Sequence, residues 1–214
     1  MKIIIPARMG SKGLPFKNRQ LFDYTADSIP DSLHVWVTTD DPEIKNMAIS
    51  RKFGVIDRPE ELATDSASIR DVMHHAVSAI GIQPEDIVLM LYLTYPERTW
   101  QDIDSALEFF LNYYQLGISE SLLCKKEVKT HPFLAMTEHG IDGIFGEQIV
   151  QHDLYRRQDY PKCFEISHYV SIFKAGSIYK LNRNLYCEST VFYPIPDVID
   201  IDTQKELEIL NGYS

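Results

Sequence analysis

Residues 1–18 read MKIIIPARMGSKGLPFKN, and this stretch decides the fold. Ile3, Ile4 and Ile5 form an unbroken β-branched run, the pattern of a strand buried on both faces in a parallel sheet. Pro6 stops the run. A loop follows that carries Gly10, Ser11 and Gly13 together with the cations Arg8, Lys12 and Lys17. Glycines let backbone N–H groups come close to an anion, and the cations neutralise it. A buried first strand opening into such a loop is a phosphate-handling design, and three cations argue for more than one phosphate. Neither GxxxxGK[ST] nor GxGxxG is present, so an ATPase or dinucleotide-binding reading has no support. The plainer alternative is a solvated turn with incidental charges. Three cations and two glycines in the ten residues from Arg8 to Lys17 weigh against it.

Outward from this stretch the chain alternates strand and helix. Residues 19–32 form a short connection with room for at most two or three helical turns before Pro30. Val35–Thr38 is a second strand, and Asp41-Pro42-Glu43 starts a helix with an acceptor at the cap and proline at the first helical position. Ile44, Met47 and Ala48 give that helix its apolar face, and Gly54 is a plausible stop. Residues 57–68 are a polar loop. From Ser68, Ile69, Val72, Met73, Ala76, Val77 and Ile80 recur at helical spacing. Ile87–Leu93 is a further buried strand, and Thr94–Arg98 leaves its carboxyl end, where open parallel sheets place ligands. Thr99 and Asp102 approximate a capping box ahead of a third helix. Ser121–Val128 is a strand, the stretch from about 130 to 168 is an inserted excursion of weak periodicity, and Tyr169–Lys174 returns to strand. A short helix over Ala175–Leu181, an edge strand over Val191–Ile195, a short strand over Val198–Ile201 and a terminal helix complete the chain. The expectation is one α/β domain over 1–214, a Rossmann-like, mostly parallel sheet flanked by helices.

Composition narrows the function. A 44% hydrophobic, 24% charged chain is globular, and a net charge of −10 disfavours nucleic acid and anionic membrane as partners. Cys124, Cys163 and Cys187 are odd in number and too widely spaced for zinc, which fits free thiols in a reducing compartment. No apolar run approaches membrane-spanning length, and no signal-peptide pattern opens the chain, so a cytoplasmic protein is expected.

Asp200 and Asp202 stand two apart on the expected strand, so both carboxylates share a face. Such a pair suits Mg²⁺, which takes one or two carboxylates together with phosphate oxygens and water. The alternative has Asp202 merely capping the last helix. Arg156-Arg157-Gln158-Asp159 is a dense polar quartet in the excursion, open to either an anion clamp or a solvated face. Arg58 is ambiguous from its neighbours. His74 and His75 sit inside a helix, and His131, His139, His152 and His168 lack metal spacing. No nucleophile motif is present.

Taken together, residues 4–18 (IIPARMGSKGLPFKN), 37–44 (VTTDDPEI), 58–68 (RPEELATDSAS), 156–161 (RRQDYP) and 198–207 (VIDIDTQKEL) resemble the acylneuraminate cytidylyltransferases, in that family's order. The resemblance implies a Rossmann-like enzyme moving CMP from CTP to a hydroxyl of an acidic nine-carbon sugar, with Mg²⁺ and release of pyrophosphate. By position, Arg8, Gly10, Ser11, Lys12 and Lys17 would hold the triphosphate, and Asn18, Arg58 and the backbone near Ala67 the cytidine. Asp200 and Asp202 would hold the metal, and Tyr92, Thr94, Arg157 and Gln158 would lie at the sugar. Arg8, Lys17 and Asp202 would be the catalytic set. It also implies a homodimer paired through the excursion.

Three departures from the family pattern stand out. The loop usually read QPTSPLR is YLTYPER, with Tyr92 and Tyr95 in place of glutamine and serine; NGAIYI is replaced by HYVSIF; and the first crossover is short. The first two fall where the sugar is expected, which directs the reading to a bulkier or more apolar acid. The rivals are a CMP-Kdo-type or other sugar nucleotidyltransferase, and a catalytically silent binding homologue.

Overall fold

The computed structural model describes residues 1–10, 13–140, 143 and 145–212. The strands are β1 (Lys2–Pro6), β2 (Val35–Thr39), β3 (Gly54–Asp57), β4 (Ile87–Met90), β5 (Ser121–Glu127), β6 (Met136–His139), β7 (Phe145–Gln148), β8 (Phe164–Lys174) and β9 (Val191–Pro194). The helices are α1 (Lys17–Ser28), α2 (Pro42–Ser50), α3 (Ile69–Ala79), α4 (Trp100–Gln115) and α5 (Gln204–Leu210). Seven strands form one sheet in the order β3-β2-β1-β4-β8-β5-β9. β1 pairs in parallel with β2 and β4, β2 with β3, and β5 with β9; β8 alone runs antiparallel, against β4 and β5.

The β1 run is buried on both sides, as its composition requires. Ile3 and Ile5 pack into a core with Leu21, Phe22, Ile44, Ile103 and Phe110 of α1, α2 and α4. Ile4 points the other way, against Val72, Met73 and Ala76 of α3. Helices therefore cover both faces of a mostly parallel sheet, the expected Rossmann-like arrangement. Caps fix the helix entries: Asp41 accepts from Glu43 N, Ser68 from Asp71 N, and reciprocal capping boxes join Thr99 with Asp102 and Thr203 with Glu206. Arg19 also grips Asp41 through two 2.8 Å bonds, which locks α1 to α2. No helix among the described residues is long and apolar enough to cross a membrane.

The strand β3 (Gly54–Asp57) and the hairpin β6–β7 lie outside the expected elements, and α1 starts at Lys17, inside the expected loop. Three further differences bear on the site. β4 ends at Met90 rather than Leu93, because the carbonyls of Tyr92 and Tyr169 turn to the buried Arg98 guanidinium, at 2.8 and 2.6 Å, instead of to a ladder partner. β8 begins at Phe164, five residues ahead of Tyr169, since Phe164–Ser167 pair with the end of β5; the excursion between the two strands is correspondingly shorter than 130–168. Residues 198–201 are not a strand. They are held as an extended segment by Ile201 N donating to Thr94 O at 2.8 Å, with Ile201 buried in the core.

Candidate active site

β2 and β3 lie on one side of β1 and β4 on the other, so the chain reverses direction at β1/β4, and a crevice opens beyond the carboxyl ends of these two strands. A cavity of about 340 Å³ occupies it. One side is built by the first loop and the start of α1 through Arg8, Gly10, Lys17 and Asn18, and another by Arg58, Thr64 and Ala67. The exit of β4 adds Tyr92, Thr94 and Tyr95, β8 adds His168, and the 198–202 segment adds Asp200 and Asp202.

The loop is tied in place by its own side chains. Asn18 Nδ2 donates to Arg8 O at 2.8 Å, and Asp40 accepts from Met9 N at 2.9 Å. The N-terminus of the 12-residue α1 opens on the cavity, adding its partial positive charge to that of Lys17. Gly13 is also required by packing. A Cβ there would lie 2.3 Å from Asp202 O, so the glycine allows the first loop to pass against the backbone of the acidic segment. Ser11 and Lys12 lie outside the described residues.

Cations and carboxylates meet across the cavity. Lys17 Nζ donates to Asp202 Oδ1 at 2.5 Å, and Arg8 pairs with Asp65 at 2.6 Å. Asp202 does not cap α5. Its carboxylate faces Lys17, while Thr203 is the cap and Glu206 receives the Asp202 backbone N–H at 2.8 Å. Asp200 and Asp202 share the cavity because the segment is extended, with Ile201 turned inward between them, even though no sheet pairing enforces it. Burial raises the Asp200 carboxyl pKa, opposed by the hydroxyls of Thr94 and Tyr95. Arg58 is buried, donates to Thr38 O at 2.8 Å and is lowered to about 10 by burial; its Nε has no hydrogen-bond partner among the described residues.

Sequence reasoning missed residues of the site, among them Thr64 and Asp65 on the cavity wall, together with His168 and the part played by Tyr95. His168 is partly buried on the cavity wall, bonded through Nδ1 to Ser171 Oγ at 3.0 Å, and burial pushes its pKa down to about 4. Tyr92 meets its ring edge-on, with centroids 5.5 Å apart. The signal for His168 was its place in the altered HYVSIF segment. Tyr95 was expected only as bulk at the sugar; its ring is buried and its hydroxyl donates to Asp200 Oδ2 at 2.9 Å. Arg98, placed by sequence in the ligand loop, points into the core. Arg157 and Gln158 lie on an exposed 3₁₀ turn of the excursion and do not line this chain's cavity.

Asp200 and Asp202 are the candidate ligands for Mg²⁺. Asp200 Oδ1 is buried with no hydrogen-bond partner among the described residues, an arrangement that is costly unless a cation or water meets it. No group of three or more His, Cys, Asp or Glu side chains is poised for a metal among the described residues. Two carboxylates completed by phosphate oxygens and water are a normal Mg²⁺ set, so the residues fit.

A Rossmann-like sheet with cations facing paired carboxylates at its switch point defines a nucleotide-handling α/β protein. The profile of the family described as Cytidylyltransferase matches residues 2–115, just over half of the chain, and the protein belongs to that family. An N-acylneuraminate cytidylyltransferase of Streptococcus agalactiae is 28% identical over 201 residues, covering 89% of this chain and 45% of the relative. One from Escherichia coli is 39% identical over 127 residues, covering 54% and 30%. The chain thus spans less than half the length of these curated relatives. Among solved structures, a CMP:2-keto-3-deoxy-manno-octonic acid synthetase complexed with CTP superposes with a TM-score of 0.65 at 15% identity, covering 98% of this chain and 96% of that one, which supports the fold.

Proposed function

We propose that this protein transfers CMP from CTP to a hydroxyl of an acidic nonulosonate sugar, with Mg²⁺, and releases pyrophosphate. The observation that carries this reading is the convergence of Arg8, Lys17, Asn18 and Arg58 with Asp200 and Asp202 on one cavity at the β1/β4 switch point.

Arg8, Lys17 and the start of α1 take the triphosphate, joined by Ser11 and Lys12 of the same loop. Fixed cations aimed at developing phosphoryl charge stabilise the transition state without reorganising. Lys17 is already oriented by Asp202, so the carboxylate holds the cation in place before the nucleotide arrives. Asn18, Arg58 and the backbone at Ala67 read the cytidine. Asp200 and Asp202 hold Mg²⁺, which when bound supplies charge neutralisation at the phosphates. Tyr92, Thr94 and His168 form the wall nearest the acceptor. Burial keeps the Tyr92 phenol protonated and the His168 imidazole neutral at pH 7, so this wall offers uncharged polar groups and ring edges. That surface suits an acid whose ring carries fewer hydroxyls and larger N-acyl groups than N-acetylneuraminate.

The same reading includes a homodimer in the cytoplasm. Leu134, Met136, Phe145, Ile149 and Tyr155 of the excursion are all exposed, Tyr155 at 97%. A second copy that covers them would remove this apolar surface from water.

The test is product analysis after incubating the protein with Mg²⁺, each of the four NTPs in turn, and a panel of nonulosonic acids including Kdo. A CMP-sugar formed only from CTP, fastest with an N-acylated deoxy acid, is the expected result. Best turnover with plain N-acetylneuraminate would remove the acceptor reading, and best turnover with Kdo would favour the rival synthetase. Silence with every acid would favour a binding homologue.

A further inference from the structure

The hydroxyl of Tyr95 completes a directed chain of hydrogen bonds. Tyr169 N donates to Ser167 Oγ at 3.2 Å, Ser167 Oγ lies 3.2 Å from Tyr95 Oη, and Tyr95 Oη donates to Asp200 Oδ2 at 2.9 Å. Each hydroxyl has one proton. The proton of Tyr95 is committed to the carboxylate, so Ser167 must donate to Tyr95, and its remaining lone pair takes the Tyr169 amide. The order is fixed from the backbone of β8 outward to Asp200.

The scaffold beneath this chain is rigid. Tyr95 is 5% exposed, Ser167 4% and Tyr169 5%. The rings of Tyr95 and Tyr169 meet edge to face at 5.3 Å, and Arg98 holds the carbonyl of Tyr169. Tyr95 thereby occupies Oδ2, the Thr94 hydroxyl also acts on the carboxylate, and Oδ1 has no hydrogen-bond partner among the described residues. Asp202 is the contrast: it is exposed, and among the described residues its carboxylate is met by Lys17.

We propose that Tyr95 is a positioning residue, backed by Ser167, that fixes the Asp200 carboxylate by holding Oδ2, so that Oδ1 would be the oxygen left for the metal of the metal–nucleotide complex. The proposal rests on the cytidylyltransferase reading of this cavity and deepens it. A small serine at position 95 cannot reach as a phenol does, so this chain's altered loop carries a metal-presenting function as well as bulk.

The experiment is calorimetric titration of CTP, without any sugar, in the presence and absence of Mg²⁺. The ratio of the two affinities measures the coupling between metal and nucleotide. Loss of an outer partner of a metal ligand typically lowers metal affinity about 10- to 100-fold. In Tyr95→Phe the coupling should fall by roughly tenfold or more while CTP affinity without metal stays at the parent value. Ser167→Ala should shift it in the same direction by less, and serves if Tyr95→Phe does not fold. Unchanged coupling in both variants, alongside lost coupling in Asp200→Asn, would overturn the proposal and leave the functional reading standing. An equal fall in both affinities would reduce Tyr95 to a structural role and overturn it too. Coupling that survives Asp200→Asn would remove the metal reading itself, and the proposal with it.

Discussion

His168→Gln should make the fold less sensitive to acid. In an unfolded chain the imidazole titrates near its ordinary value of about 6.5. In the folded protein burial pushes it down to about 4. Between those values the unfolded state binds the proton and the folded state does not, so stability falls as pH falls. The stabilising contribution is complete above about pH 6.5 and is lost on the way down to about 4. Integrating the two titrations from pH 7 to pH 5 gives a loss of about 2 kcal/mol from this residue. For a chain of this length that corresponds to roughly 4–8 °C in Tm. Glu120, held down to about 2 by Lys180 and Ser177, loses its contribution mainly below the window and does so in both proteins. Thermal melts of parent and variant at pH 7 and pH 5 therefore isolate His168. The parent should lose roughly 4–8 °C more than the variant over that interval. Equal losses would show that the imidazole is protonated at little cost in the folded protein, and the neutral wall assigned to the acceptor would go with it.

Two further outcomes follow from the packing. Gly13→Ala would put a methyl 2.3 Å from Asp202 O, forcing the acidic segment and the loop apart. A displacement of about 1 Å at such a site costs on the order of 100-fold in turnover, which steady-state pyrophosphate release would read while circular dichroism confirms the fold. Arg98→Met removes the donor for the carbonyls of Tyr92 and Tyr169 deep in the protein. Two buried acceptors left unpaired cost roughly 2–6 kcal/mol, measurable by urea denaturation; a loss under about 1 kcal/mol would show that water replaces the guanidinium.

What the sequence made legible was local. The isoleucine run and the Asp41, Ser68 and Thr99 helix starts all act within a few residues of themselves, and each takes its expected form. The site residues Arg8, Lys17, Arg58, Asp200 and Asp202 also meet in one cavity. What stayed hidden depends on partners far along the chain. The antiparallel entry of β8 between β4 and β5 has no local signature, because Phe164–Ile166 is exposed and gains its strand geometry only from β5. The side-chain alternation at Asp200–Asp202 is real, but it comes from Ile201 seeking the core and from its bond to Thr94 rather than from a strand. Arg98 reads as a ligand-loop cation in sequence because its three oxygen partners come from three separate elements. Tyr95 reads as bulk for a similar reason: its partner Asp200 is 105 residues away.

The central claim is that the β1/β4 cavity is a CTP site organised by the first loop. Calorimetric titration of CTP and UTP into the parent protein and Lys17→Ala, with Mg²⁺ present, tests it most directly. The account predicts saturable CTP binding, markedly weaker UTP binding, and at least a tenfold loss of CTP affinity in the variant, about 1.4 kcal/mol or more. Equal affinity for both nucleotides, or CTP binding untouched by the loss of Lys17, would contradict it.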